Sequence, residues 1–516
     1  ILDKSLTSAL PAGPRTASAA WVDALAETAA IAEHPDRLLS DLILAQARRR
    51  GDAPALLSER ETFTFADLAG RIAIYQHWAL SRGLSRGDTV ALLMVNRPDY
   101  VAAWLGLTRS GCTVALVNTA LRGAALAHAL RVSEASHAFV DDVYADELAL
   151  TSHAEGLTIA ATEPPPLHLP APLPVPHSVT IADRALLIYT SGTTGLPKAA
   201  VVSHRRVLNW ALWFKGLLGN TAGDRMYNCL PLCHSVGGIV AVAATLAAGG
   251  STVIAEKFSA SRFWTDIRRW NCTQVQYIGE LCRYLVAQPS APDDGVHNLR
   301  LAVGNGLRPD IWEAFRSRFH IPQIIEFYAA TEGSFSLYNV GGPTGSIGRI
   351  PPFLRHRFKV ALVRHDHDSG LPVRDSQGRC VPALAGEIGE AIGMIGEGGK
   401  FEGYTNAADT DRKVLRDVFV PGDAWFRTGD LMRADAGGNY FFVDRIGDTF
   451  RWKGENVATL EVANAAASAP GVRDAVIYGV AVPHCDGKAG MAYLDADDSF
   501  NPQAFLAHMS ARLPAH

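Results

Sequence analysis

The chain is predicted to be an α/β protein: a large N-terminal domain of two α/β layers with a small β-rich subdomain, then a small α+β C-terminal domain expected to be truncated at residue 516. Three observations carry that expectation. Short apolar strands alternate with amphipathic helices over residues 36–340, the pattern of βαβ units in a parallel sheet. Seven prolines between Thr162 and Pro176 cannot form a packed element and read as a semi-rigid linker between two such stretches. After Gly341 the strands become short and are separated by Asp/Gly-rich turns. The expected boundaries are a loose lead-in at 1–35, a first α/β subdomain at 36–176, a second at 177–340, a β-rich subdomain at 341–444 and an incomplete α+β domain at 445–516.

In chain order, a helical stretch near Trp21–Ala30 precedes the organised part. Apolar spacing predicts helices at Leu38–Arg49, Asp67–Ser81, Asp99–Ser110 and Arg122–Arg131, with strands at Ala55–Leu57, Thr89–Val95, Thr113–Val117 and His137–Val140. The second layer alternates helix Arg205–Leu218, strand Arg225–Asn228, helix Ile239–Ala248, strand Thr252–Ala255, helix Ser259–Trp270, strand Thr273–Tyr277, helix Leu281–Gln288, strand Leu299–Val303, helix Asp310–Phe319 and strand Gln323–Tyr328. Strands near Phe358–Val363, Glu387–Ile392 and Tyr440–Asp444 belong to the β-rich part. Helix Leu460–Ala467 and strand Ala475–Val480 belong to the last segment.

Composition narrows the function class. Apolar residues make up 48% and charged residues 19%, ordinary for a globular protein. A net charge of −4 and a pI near 6.5 leave no basic surplus, which argues against nucleic acid as the main ligand. The one basic run, Arg48-Arg49-Arg50, reads as the last turn of a helix before Gly51. Seven scattered cysteines (112, 229, 233, 272, 282, 380 and 485) make an odd number without a framework and fit a reducing, cytoplasmic compartment. Cys229, Cys233 and His234 could be drawn as metal ligands, but no second Cys/His pair accompanies them, and buried thiols fit better. The apolar run Ile239–Ala248 is about half the ~20 residues of a membrane span, so only peripheral membrane contact stays open. No signal peptide is visible at Ile1, and a chain opening on Ile rather than Met is expected to have lost its true start.

The stretch Tyr189-Thr-Ser-Gly-Thr-Thr-Gly-Leu-Pro-Lys198 carries the strongest chemical signal. Apolar residues run into it and out of it, so it is a tight loop between two buried strands. Glycines turn backbone amides inward around an anion, hydroxyls add donors, and Lys198 adds a mobile cation: the makings of a phosphate cradle. By composition alone it is equally a plain connector. Its resemblance to a P-loop is only partial, since Pro197 precedes the lysine and strand-like residues follow it. Ligands of parallel sheets sit at the carboxyl ends of strands, and polar or glycine-rich turns occur at four of these ends: 189–198, 231–238, 304–308 and 329–334.

Further motifs repeat in a set order. They are Tyr277-Ile-Gly-Glu-Leu-Cys-Arg-Tyr-Leu285, Gly304-Asn-Gly-Leu-Arg-Pro-Asp-Ile-Trp312, Tyr328-Ala-Ala-Thr-Glu332, Phe426-Arg-Thr-Gly-Asp430 and Val443-Asp-Arg-Ile-Gly-Asp-Thr-Phe-Arg-Trp-Lys-Gly-Glu-Asn-Val-Ala-Thr459. Over roughly residues 40–516 the chain resembles the acyl-adenylate-forming superfamily, and more narrowly its fatty acid transport protein and very-long-chain acyl-CoA synthetase branch. The resemblance implies an ATP- and Mg²⁺-dependent ligase that joins a hydrophobic carboxylic acid to the α-phosphate, releases pyrophosphate and passes the acyl group to coenzyme A. Two anions must meet in that reaction, which calls for cations, metal and backbone donors at the phosphates.

Residue by residue, the resemblance assigns the β- and γ-phosphates to Thr190, Ser191, Gly192, Thr193, Thr194, Gly195 and Lys198, and the metal to Glu332 and Thr194. Gly304, Asn305 and Gly306 would line the nucleotide, Tyr328 would pack on adenine, and Thr331 would bond the α-phosphate. Asp430 would accept from the ribose hydroxyls and Arg445 would contact ribose or phosphates. His234 would stand between acyl pocket and phosphate, completing a catalytic set with Thr331 and Glu332. Trp210, Trp213, Tyr277, Ile278 and Ala329 would wall the acyl pocket, Gly447 would be the hinge of the C-terminal domain, and Gly454 would admit the pantetheine arm. Each has a plainer reading: Tyr328 and Glu332 as surface residues, Asp430 as a turn aspartate, Arg445 paired with Asp444 or Asp448, His234 as a core histidine.

Departures matter as well. Relatives usually carry Gly where Ala329 stands, so the acyl tunnel is expected to be narrowed there. The lysine that the family uses to polarise the carboxylate is expected beyond His516, and the 516-residue polypeptide is therefore expected to adenylate poorly. Loading of a carrier protein instead of CoA, fatty acid uptake, a non-catalytic nucleotide scaffold and a homodimer all stay open at this point.

Overall fold

The computed structural model describes residues 14–162, 179–190, 196–333, 335–366, 369–396, 401–452, 455–482 and 488–513. Its contacts divide the chain into two units. One is built from residues 1–332, 338–345 and 402–411, the other from 333–337, 346–401 and 412–516.

The first unit holds two sheets. One has the lateral order Ala160–Thr162, His137–Val140, Thr89–Leu93, Thr113–Leu116, Arg184–Thr190, Lys198–Ser203, parallel except for the last two strands, which form an antiparallel hairpin. Thr89–Leu93 and Thr113–Leu116 are buried at every position, as a parallel sheet covered on both faces requires. The other sheet runs Ile324–Ala329, Leu301–Asn305, Gln274–Ile278, Arg225–Asn228, Ser251–Ile254 and Pro54–Leu57 in parallel, with Thr62–Thr64 antiparallel beyond.

Two segments exchange layers relative to the sequence expectation. The hairpin Arg184–Ser203, expected to open the second layer, is hydrogen-bonded to Thr113–Leu116 of the first sheet. Pro54–Leu57, expected in the first, pairs with Ser251–Ile254 of the second. An apolar run specifies a buried strand but not the neighbour that completes its ladder, and here the neighbours are far apart in sequence. The helix Asp142–Ala154 has no counterpart in the sequence expectation. Only Leu148 and Thr151 are buried along it, so its periodicity is faint.

Within the expected lead-in, the described residues include a packed helix. Helix Ala17–Ala29, capped by Thr16, buries Trp21 edge-on against Trp213, with ring centroids 5.3 Å apart. Its partner helix, His204–Leu218, carries Gly216 where the backbone of Ala24 comes so close that a Cβ would sit 2.6 Å from it. The expected helix at 239–248 is also modified. A five-residue π-turn, Val236–Val240, runs into the α-helix Ala241–Ala247. Asn228 Nδ2 donates to the Gly237 carbonyl at 3.0 Å, which draws that carbonyl away from the regular ladder.

The second unit is built on a sheet ordered Val360–Val363, Ile388–Met394, Ala424–Ala434, Val414–Arg416, with Tyr440–Arg445 also paired to Ala424–Ala434. Two hairpins, Phe450–Trp452 with Glu455–Val457 and Val472–Ala481 with Lys488–Ala496, and helices Thr459–Ala467 and Pro502–Arg512 follow. The ring of Phe450 fills the space that side chains at Gly479 and Gly490 would need.

Candidate functional site

In the first unit the site begins at the hairpin. Strand Arg184–Thr190 delivers Thr190 and strand Lys198–Ser203 starts on Lys198, whose register partner is Thr190. Ser191, Gly192, Thr193, Thr194 and Gly195 lie outside the described residues. Lys198 Nζ is 2.9 Å from Asp409 Oδ1 and 5.9 Å from the centre of the Tyr404 ring. Lys198–Ser203 is an edge strand of its sheet, and residues 403–405 pair along it. Val201 N donates to Gly403 O at 2.9 Å and Thr405 N to Ala199 O at 3.0 Å.

The turn after strand Ile324–Ala329 brings Thr331 and Glu332 to the same region. Glu332 is buried and accepts from Tyr404 OH at 2.7 Å. Desolvation, with the Glu332 charge beside it, pushes the Tyr404 phenol well above the ordinary tyrosine range. Arg206 Nη1 donates to the Thr331 carbonyl at 2.7 Å, and Ser235 Oγ lies 3.4 Å from Thr331 Oγ1. Arg206 is itself buried 3.6 Å from Glu402, and desolvation lowers its pKa although Glu402 and Glu332 oppose that shift. Arg206, Ser235, Glu402, Tyr404 and Asp409 are absent from the sequence-based candidates. Ser235 lies in the 231–238 turn, but no motif marks Arg206, Glu402, Tyr404 or Asp409, whose partners are distant in sequence.

His234 sits in the Pro231–Gly238 turn. It retains solvent access, yet the surrounding chain desolvates it enough to lower its pKa. Cys229 and Cys233 are buried, and burial pushes both thiols up to about 12. Among the described residues, no three His, Cys, Asp or Glu side chains gather as a metal site. A Mg²⁺ ion held by one carboxylate, phosphate oxygens and water does not need such a group, and Glu332 fits that donor set.

The loop 304–308 is packed from beneath. Gly306 has φ +78°, and a Cβ on Gly279 would come within 1.7 Å of its carbonyl oxygen. A Cβ on Gly304 would lie 2.2 Å from Tyr277 O, so Gly at these positions is a steric requirement. Below the loop, Glu326 accepts from Tyr277 OH at 2.5 Å and from Leu307 N at 3.1 Å. Burial raises its pKa to about 8 despite these donors. Asn305, at the carboxyl end of strand Leu301–Asn305, has its Oδ1 buried without a hydrogen-bond partner among the described residues.

The five expected acyl-pocket residues do not form one wall. Lateral pairing puts Tyr277, Gly304 and Glu326 on one sheet face, whereas Phe327, one residue on, packs against Phe214 of helix His204–Leu218. Tyr277 is therefore separated by the sheet from Trp210 and Trp213, which that helix carries. Trp213 is packed against Trp21 and Tyr338, while Ile278 and Ala329 are exposed on the helix side at strand ends.

In the second unit Asp430 and Arg445 face each other in the antiparallel register. Thr428 Oγ1 accepts from Asp430 N at 3.0 Å and holds the turn. Asp444 accepts from Arg445 N and from Thr459 Oγ1, capping helix Thr459–Ala467. Gly447 is exposed, its φ is not positive, and a Cβ there would meet nothing within 4 Å, so this conformation does not itself demand glycine. Gly454 lies outside the described residues.

A family model described as AMP-binding enzyme matches residues 43–390. The chain belongs to that family. This AMP-binding enzyme is 39% identical over 496 residues to long-chain fatty acid transport protein 1 of Mus musculus, covering 92% of this chain and 77% of the relative. It is 41% identical over 471 residues to the protein of that name from Homo sapiens, covering 87% and 73%. Long-chain fatty acid transport protein 2 of Rattus norvegicus is 38% identical over 515 residues, covering 93% and 81%. In fold, the enzyme matches the anthranilate CoA ligase AuaEII bound to anthranoyl-AMP with a TM-score of 0.77 at 21% identity, over 93% of this chain and 90% of that one. It matches a benzoate CoA ligase from Burkholderia xenovorans LB400 with a TM-score of 0.77 at 19% identity, over 93% and 94%. No helix among the described residues is long and apolar enough to cross a membrane.

Proposed function

We propose that this AMP-binding enzyme is an ATP-dependent acyl-CoA ligase acting on a long-chain or comparably hydrophobic carboxylic acid. A carboxylate oxygen attacks the α-phosphorus of ATP. The bond to the bridging oxygen breaks, pyrophosphate leaves, and an acyl-adenylate forms. The thiolate of coenzyme A then attacks the acyl carbonyl and AMP departs. Lys198 and the hairpin bind the phosphates that leave, Thr331 bonds the α-phosphate, and Glu332 is the protein ligand of Mg²⁺, which when bound neutralises phosphate charge. Tyr328, Asn305 and the 304–306 backbone take the adenine side, and Asp430 and Arg445 keep the ribose role that the resemblance gives them. His234 lies on the path of the acid.

The observation that carries this reading is the tethering of Lys198, Thr331 and Glu332, distant in sequence, through Arg206 and residues 402–409. The names of the relatives favour long-chain fatty acids, and those of the fold neighbours favour CoA as acceptor. Peripheral membrane contact fits an acid that partitions into lipid. The test is pyrophosphate release with a panel of carboxylic acids, followed by thioester formation on adding CoA. Release with long-chain acids and CoA turnover is the expected result. Release without CoA turnover would point to a carrier-protein acceptor, and no release with any acid would overturn the reading.

A further inference from the structure

The edge of the phosphate hairpin is closed by a segment that the reaction as described above does not use. Residues 402–409 reach it after a long excursion of the chain through the second unit. Their backbone completes the open ladder of Lys198–Ser203, with Ala200 and Tyr404 as bridge partners. Their side chains then make three separate polar attachments. Glu402 accepts from Ser203 N at 2.7 Å and from Ser203 Oγ at 2.5 Å, and stands beside Arg206, the donor to the Thr331 carbonyl. Tyr404 donates to Glu332, and Asp409 pairs with Lys198. Gly403 sits at φ +70° with Thr410 against it, and Thr410 Oγ1 accepts from Tyr404 N at 2.9 Å, which anchors the backbone at Tyr404.

We propose that residues 402–409 form a strap whose Tyr404 and Glu402 are positioning residues for the nucleotide site: Tyr404 orients the Glu332 carboxylate, and Glu402 holds Arg206 and through it the Thr331 carbonyl. The inference rests on the ATP-dependent reading of that site. Edge closure alone needs only the backbone of 403–405. The hydroxyl of Tyr404 adds nothing to that ladder, and its placement on a buried acid at the metal-binding turn is the specific feature. Asp409 keeps the Lys198 ammonium neutralised until phosphates replace it.

The test compares the whole protein with Tyr404→Phe and Glu402→Gln by equilibrium binding of ATP, with and without Mg²⁺, and by Mn²⁺ binding followed by electron paramagnetic resonance. Tyr404→Phe keeps the ring and the backbone ladder and removes one donor to a charged group. Mn²⁺ and Mg²⁺-dependent ATP binding should weaken roughly tenfold while metal-free ATP binding changes less than about twofold. Glu402→Gln should weaken ATP binding about threefold whether or not metal is present. Both variants binding ATP and metal like the wild type would overturn the strap. Wild-type protein that binds ATP with Mg²⁺ but releases no pyrophosphate with any acid would overturn the ligase reading alone, since the variants still decide the strap by binding. Wild-type protein that binds no ATP would overturn both.

Discussion

The two sides of the candidate nucleotide site in the first unit are held by opposite means. The loop 304–308 is fixed from within its own layer, by glycines that let Gly279, Gly304 and Tyr277 approach closely and by the buried Glu326 carboxyl beneath Leu307. The phosphate hairpin is an edge, fixed by ion pairs and hydrogen bonds to residues 402–409 far along the chain. One side is governed by steric fit and desolvation, the other by charge. Changes of shape should therefore damage the first side more, and changes of charge the second.

The largest effect is expected on the sterically held side. Gly279→Ala would force a Cβ to within 1.7 Å of the Gly306 carbonyl, backbone against backbone, and should cost about 3 kcal/mol in urea unfolding, at the upper end of overpacking costs. A cost below ~1 kcal/mol would mean that the loop yields easily. On the charged side, Ser203→Ala removes the helix cap on Arg206 N and the hydroxyl bound to Glu402, and should cost about 1 kcal/mol in the same assay. It should also weaken ATP binding, which a purely local cap would not do.

A pH experiment sharpens the contrast. Glu326 has its pKa raised by burial from 4.5 to about 8, so the folded protein holds a proton there that the unfolded chain releases. Its contribution is fully present below about pH 4.5 and is lost as pH rises toward about 8. Tyr277 and Cys282 are the titratable groups facing it, and burial keeps both neutral over that range. Glu326→Gln should flatten this part of the melting-temperature profile between pH 5 and 8. An unchanged slope would show that Glu326 is ionised throughout. His204 has the opposite sign. Burial lowers it from 6.5 to about 4, so its contribution is lost as pH falls through that interval, and His204→Gln should raise relative stability near pH 5.

Legibility in the sequence followed the range of the interactions. His137–Val140 and Arg225–Asn228 match their expected ends, since a strand buried on both faces is a local apolar run. The N-terminal helix is legible near Trp21–Ala30, but nothing local in the sequence shows that Gly216 packs against it. The hairpin's sheet, the division of the expected acyl wall by that of Gln274–Ile278, and the strap had no sequence signal either. Glu402 and Tyr404 stand among glycine and polar residues like any surface turn. Arg206 looks like the next residue of a helix. A buried arginine three positions after the cap Ser203 could have raised suspicion only once burial was known.

By itself, the sequence determined the αβ alternation, the two strands that flank the loop 191–197, the strand-end turns at 231–238 and 304–308, and the family. These depend on local periodicity, on glycine at tight turns and on residue order. Tertiary structure alone decided which sheet each strand completes, which face each aromatic ring occupies, and that Lys198, Thr331 and Glu332 answer to residues 402–409. Those outcomes depend on ladders and desolvated charge pairs closed between distant segments, whose partners no local pattern can name.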